Sequence, residues 1–257
     1  VACGCLARKG KKMAKFFVDS NKVKERTIWI TDADDRKHMT KVLRLGVGDT
    51  ISVSDSVQFE YVAEISAIEK EYIEAKILDK QKFAREPELK ITLFQGIPKQ
   101  GKMETIIQKT VELGGYSIVP VFTDRTVVVD HGNFYKKIER WQKIADEAVK
   151  QCKRGIIPQI QREMTFQELL NGIVKYDLIV FPYENEEDYS IKDYLRGLAE
   201  KPGTAAVIIG PEGGFSDSEA EALKKIGARS VTLGKTILRT ETAGMTAIAM
   251  TMYELEL

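Results

Sequence analysis

Cysteine and histidine are scarce in this chain, and long apolar runs are missing. Three cysteines, Cys3, Cys5 and Cys152, do not make a disulfide framework, and the two histidines, His38 and His131, stand far apart. A structural zinc site is therefore not expected, and no other metal is implied. A reducing cytoplasm fits such cysteine usage. No apolar stretch approaches the roughly 18 residues that would span a bilayer, so no membrane role is expected. Charge of one sign is lacking too: 39 Lys and Arg stand against 38 Asp and Glu. Any nucleic-acid role must then rest on local patches and not on bulk charge.

What is present is an ordinary globular composition, 43% apolar and 30% charged, over 257 residues. That length suits one large domain, or a small one beside a medium one. The first twelve residues, "VACGCLARKGKK", precede a plausible start at "MAKFFV", and residues 1–14 read as a disordered extension. They are too short and too charged for a signal peptide. From Phe16 to Leu78 short strand patterns follow one another, which predicts a small barrel or sandwich over 15–80. One helix is predicted within it, from about Asp32 to Leu45. Lys37, Lys41 and Arg44 there fall at i, i+4 and i+7 on one face, as a solvated face or as a phosphate-contacting stripe.

"DKQKFAREPE" is charged, carries a proline and lacks apolar periodicity, so 81–88 reads as a linker. Beyond it strands and helices alternate through 89–257. "KITLFQ", "SIVPVF", "YDLIVFPY", "AAVIIG" and "SVTLG" are strand patterns. Helices are predicted near Gly101–Leu113 and Asn133–Lys153, and after the capping boxes T-F-Q-E (Thr165–Glu168) and S-D-S-E (Ser216–Glu219). Such alternation predicts an α/β domain with a mostly parallel sheet covered on both faces.

Two loops carry the chemistry. "GPEGGF" follows the strand AAVIIG, but Gly210, Gly213 and Gly214 have neither the dinucleotide nor the P-loop spacing. Glu212 also puts a carboxylate where a phosphate would need donors, so a neutral or cationic ligand suits the loop better. "LGKTILRTETAGMTAIAM" supplies the second loop and a helix rich in small residues, which is deeply packed or lies at a subunit interface. In an α/β sheet, ligands bind outside the carboxyl ends of the strands, and both loops lie there. Glycine backbone, an Ile237–Leu238 wall, Glu212, Glu241 and Arg239 could hold a purine ring and tolerate a sulfonium.

"GPEGGFSDSE" followed by "LGKTILRTETA" closely resembles the RsmE family of SPOUT methyltransferases, which methylate N3 of a uridine in small-subunit ribosomal RNA. "HMTKVLRLGVGD", "KMETIIQKTVELGGYSIVPVFTDRTVV" and "RWQKIADEAVKQCKR" carry the resemblance across nearly the whole chain from Phe16. The departure is "VKQCKR", where the family usually has a Glu-Gln-Ser type sequence, with Lys150 at the first of those positions.

The resemblance implies a PUA-like RNA-binding barrel, then a SPOUT domain whose end is threaded into a trefoil knot. It also implies a homodimer, S-adenosyl-L-methionine as cofactor, and 16S ribosomal RNA or the small subunit as partner. Gly210, Pro211, Glu212 and Gly213 would form one cofactor loop, and Leu233, Gly234, Ile237 and Leu238 the other. Arg239 and Glu241 would begin the last helix at the reactive end. Because N3 of uridine keeps its proton at neutral pH, Glu241 is the candidate base, with Glu212 behind it. Arg239 and Arg154 are candidates for stabilising the uridine oxygens or a flanking phosphate, and Arg125 and Arg154 for contacting RNA. Residues 90–154 hold 12 Lys and Arg against 7 Asp and Glu, which suits a phosphate track. Two other readings are a non-catalytic RNA-binding relative, which the paired loops disfavour, and a nucleotide-dependent enzyme such as a dehydrogenase, which the glycine spacing disfavours.

Overall fold

The alternation in "FEYVAEISAI" puts Tyr61, Ala63 and Ile65 on one face of a strand, and that face is buried. The computed structural model describes residues 13–83, 86–99, 101–130 and 132–257, and the chain divides after residue 85 into two compact units. The expected extension over 1–14 lies almost wholly outside the described residues, as do Cys3, Cys5 and His131.

In the first unit the strands are β1 (Lys15–Phe17), β2 (Thr27–Ile30), β3 (Thr50–Ser54), β4 (Phe59–Ile68) and β5 (Ile73–Lys82). They form one sheet in the order β1-β3-β4-β5-β2, antiparallel except for β1 on β3. Register shifts between β4 and β5 at Val62/Ala63 and Ile65/Ala67 are bulges that increase the twist. One face gathers Phe16, Ile28, Ile30, Ile51, Val53 and Ile73 into a core, closed by Met39. Met39 comes from helix α1 (Ala33–Lys37), which continues as a π turn over His38–Val42. Asp32 caps α1 by accepting from the amides of Asp34 and Asp35.

Two expectations need correction here. The helix stops at Val42, and Arg44 lies beyond it with φ 54°, so it does not continue the stripe begun by Lys37 and Lys41. The start of the expected linker is strand: β5 runs to Lys82, because its main chain pairs with Phe59–Val62 although its side chains are solvated. Apolar periodicity cannot register a strand held only by its backbone.

In the second unit β6 (Lys90–Gly96), β7 (Ser117–Phe122), β8 (Gln159–Ile160), β9 (Met164–Thr165), β10 (Leu178–Pro182), β11 (Thr204–Ile209) and β12 (Arg229–Val231) make one parallel sheet. The order is β12-β10-β11-β6-β7-β8, with β9 also on β7. β6, β7, β10 and β11 are buried almost residue for residue, as a sheet covered on both faces requires. Helices α4 (Phe166–Ile173) and α6 (Asp217–Lys225) pack on one face around Phe94, Phe181 and Phe215. Both begin with the expected capping boxes. Helix α7 (Thr240–Glu256) lies against β6 and β11 and packs with α2 (Lys102–Glu112) and α5 (Ile191–Arg196). α3 (Phe134–Cys152) packs on α2. Packing accounts for two of the small residues of α7: Gly244 and Ala247 are buried, and a methyl on Gly244 would sit 3.4 Å from Gln95 Oε1, while Ala243 and Ala249 are half-buried.

Candidate functional site

β6 and β11 are neighbours, with Gln95 opposite Ile209, so the loops leaving them start from the same sheet edge. Backbone crowds there. A methyl on Gly96 would sit 2.6 Å from the Pro211 nitrogen and 2.8 Å from the Gly210 carbonyl carbon, which only glycine avoids. Gln95, fully buried, ties the crossing together. Its Nε2 donates to Gly96 O (3.0 Å) and to Thr240 Oγ1 (2.9 Å), and Thr240 Oγ1 donates to Gly210 O (2.6 Å). A strand end, the first loop and the start of α7 are thereby bonded to one another.

The first loop is gripped from its other side. Ser216 and Glu219 close the capping box, and Glu219 Oε1 also accepts from the amide of Asp124 (2.9 Å). Ser216 Oγ donates to Asp124 Oδ2 (2.6 Å), and Arg125 donates to Gly213 O (2.7 Å). Arg125, expected as an RNA contact, is exposed but braces this loop.

The second loop follows β12, which pairs with β10 to Val231 and adds one bridge from Thr232 to Ser190, shorter than the expected strand through Gly234. It carries Leu233, Gly234, Ile237 and Leu238 to the same cleft as Gly210, Pro211, Glu212 and Gly213. The cleft measures about 1010 Å³, and a third segment after β10, with Tyr183, Glu184 and Glu186, completes its wall. Ile237 is 84% exposed, an apolar side chain left uncovered beside a cavity. Arg239 also lines the cleft and is exposed.

Lys102, at the first position of α2, is the residue that sequence reasoning missed. Its Nζ lies 3.0 Å from Glu212 Oε1 and 3.2 Å from Glu241 Oε2, joining the first loop's carboxylate to the one in the first turn of α7. The Lys99 amide donates to both oxygens of Glu212 (3.0 and 3.2 Å). The hydrogen bond it donates to Glu212, more than any other influence, raises the Lys102 ammonium above its ordinary value. Burial pushes Glu212 up, but the backbone donors and Lys102 together outweigh it and hold the carboxyl below the usual range. The carboxylate at the loop tip is thus engaged by its own chain, and ligand charge is not needed to explain it. Glu241 Oε2 is buried and makes no aligned hydrogen bond, despite its charge contact with Lys102. The third wall and Gln95 were also missed. Gln95 had a signal: a polar residue closing the apolar run KITLF at a strand's carboxyl end.

Of the RNA candidates, Lys37, Lys41 and Arg44 are exposed in the first unit. Arg154 is corrected: it is 7% exposed, ion-paired to Glu86 and bonded to the carbonyls of Val111 and Gly115. A guanidinium so enclosed holds the fold and is not available to a phosphate. Among the described residues no group of His, Cys, Asp and Glu could hold a metal ion, and no helix is long and apolar enough to cross a membrane.

Residues 85–252 match the family described as RNA methyltransferase domain, and residues 30–78 match RNA methyltransferase PUA domain. Ribosomal RNA small subunit methyltransferase E of Bacillus subtilis (strain 168) is 31% identical over 251 residues, covering 95% of this chain and 98% of the relative. The protein of that name from Buchnera aphidicola subsp. Acyrthosiphon pisum (strain APS) is 33% identical, covering 94% of each. Among solved structures, ribosomal RNA small subunit methyltransferase E from Neisseria gonorrhoeae, bound to S-adenosyl methionine, superposes with a TM-score of 0.79. It is 29% identical, over 94% of this chain and 98% of that one.

Proposed function

The chain belongs to the RNA methyltransferase family, and from that premise we propose that it methylates N3 of a uridine in 16S ribosomal RNA of the small subunit, using S-adenosyl-L-methionine. The observation that carries the site reading is the convergence of two sequence-distant loops, Gly210–Gly213 and Leu233–Leu238, on one cleft. The cleft suits the cofactor on its own chemistry. Its size is that of small-molecule sites, at about 300–1,000 Å³. Ile237 and Leu238 offer an apolar wall for the adenine, the glycine-rich backbone offers hydrogen bonds, and Glu184 supplies a carboxylate that suits a positively charged or hydroxyl-bearing ligand.

When bound, the cofactor supplies an electrophilic methyl group on a sulfonium. The chain's own part is to prepare N3. Glu241 takes the N3 proton; its Oε2 faces Lys102, which leaves Oε1 for the proton. Arg239, exposed at the cleft, stabilises the negative charge that then spreads to the uracil oxygens, and the N-terminus of α7 favours the same charge. Lys37, Lys41 and Arg44 on the first unit contact phosphates, and on the second unit Arg125, beside the loop it braces, does the same.

The same reading includes a trefoil knot formed by the C-terminal segment, a homodimer and a cytoplasmic setting. The bonded crossing of Gln95, Gly210 and Thr240 supports the knot. The exposed Met250 and Tyr253 on α7 support a subunit contact. Tritiated methyl transfer to small subunits lacking the modification, with the methylated base located by mass spectrometry, tests the function. N3-methyluridine is the expected product. No transfer, or transfer to another atom, overturns it.

A further inference from the structure

Lys102 belongs to neither cofactor loop, yet it is the cation that meets both the first loop and the start of α7. Glu212 lies at the tip of the first loop, Glu241 in the first turn of α7, and the two are 29 residues apart in sequence. The Lys102 ammonium is 3.0 Å from one and 3.2 Å from the other, with its side chain 29% exposed and theirs 24% and 19%. Its own place is set independently of both: Gly101, with φ 72°, turns the chain into α2, and Met103, Ile106 and Ile107 of that helix are buried in the domain. The lysine is thus mounted on a packed helix and reaches both the tip of the first loop and the first turn of α7. An isolated surface ion pair contributes little to stability. A cation shared by two partly buried carboxylates from different segments constrains both at once. Without it, two neighbouring carboxylates would be left with no cation between them and repel.

We propose that Lys102 is a positioning residue: it clamps the Glu212 loop to the start of α7 and orients Glu241 for its work on the substrate. The second half rests on the function proposed above; the clamp does not. The Lys102 ammonium acts on Glu241 through its charge, and no proton needs to leave it during the reaction. The role is electrostatic and geometric.

Hydrogen exchange on the full chain tests the clamp without any catalysis. Two amides report it: Gly214, whose N–H donates to Pro211 O, and Ala243, whose N–H donates to Arg239 O. Lys102→Met should speed exchange at both by about tenfold or more while the sheet amides keep their protection, and Lys102→Arg should restore most of it. Unchanged exchange at both sites overturns the proposal.

Methyl transfer then tests the orienting role. Lys102→Met should lower kcat by roughly 100-fold with the KM for RNA little changed, as misplacement of a reacting group does. In a Glu241→Gln background the same substitution should add less than about twofold, because its effect passes through Glu241. A full, independent loss in that background overturns the role assigned through Glu241. A wild-type protein that transfers no methyl group overturns the proposed function, and the exchange experiment still decides the clamp.

Discussion

Replacing Arg154 by alanine should unfold the second unit more easily and leave no separate defect in RNA contact. The magnitude follows from what the guanidinium holds. Nε and Nη2 donate to Glu86 Oε2 at 3.1 and 2.8 Å, and Nη1 donates to the carbonyls of Val111 (3.0 Å) and Gly115 (2.6 Å). Both side chains of the ion pair are 8% exposed. Removing one partner of a buried pair costs about 3–5 kcal/mol, because the other charge stays buried without compensation. Glu86 keeps the amides of Gly155 (2.5 Å) and Ile156 (3.1 Å), so the cost should fall toward the lower end. For a domain of this size about 3 kcal/mol corresponds to a melting temperature lowered by roughly 6–12 °C.

Differential scanning calorimetry on Arg154→Ala, Glu86→Gln and Arg154→Ala/Glu86→Gln measures this directly. The double variant should lose clearly less than the sum of the single losses, since neither partner is then left charged and alone. The reasoning is refuted if Arg154→Ala melts within about 2 °C of wild type and instead binds RNA more weakly with a shallower salt dependence. That result would make Arg154 the phosphate contact that its burial denies.

Neutralising Lys37, Lys41 and Arg44 together should weaken RNA binding and reduce the slope of log K against log salt by roughly 2–3, with cofactor affinity unchanged; an unaltered slope assigns them to a solvated face. Arg239→Ala should keep the melting temperature and cofactor affinity while the methylation rate falls by about 100-fold or more. Glu241→Gln should lose most rate at low pH and recover as pH rises, because hydroxide can then remove the N3 proton; a flat, wild-type pH profile would leave Glu241 a helix-start residue only. Gly96→Ala should cost both stability and S-adenosylmethionine affinity, since the added methyl meets Pro211 and Gly210 at 2.6–2.8 Å; calorimetry with unchanged affinity would show that the first loop can shift without harm. Because the Glu212 carboxyl is held below its ordinary value, the stability it contributes is complete above the unfolded-state pKa of about 4.3 and is lost as pH falls through the lower, folded value. Acid titration of Lys102→Met should show less of that loss than wild type.

Much of this protein was legible along the chain because its causes are local. Continuous apolar runs predict the central strands of a buried parallel sheet, and β6, β7, β10 and β11 are those runs. Two S/T-x-x-E boxes predict helix starts, because each closes within four residues. The two loops were legible from glycine placement after strands, and all eight residues assigned to them line one cleft. What remained hidden depends on partners far away in sequence. Arg154 and Lys102 are both basic residues in a basic stretch, and nothing near either one distinguishes them. Arg154 is enclosed because Glu86, 68 positions earlier, is folded against it; Lys102 is at the cleft because α2 carries it to carboxylates 110 and 139 positions later. The charge on a side chain is written in the sequence. Whether that charge meets water, a phosphate or a carboxylate is decided only when the sheet brings distant segments together, because the electrostatic energy depends on separation and burial and not on order along the chain.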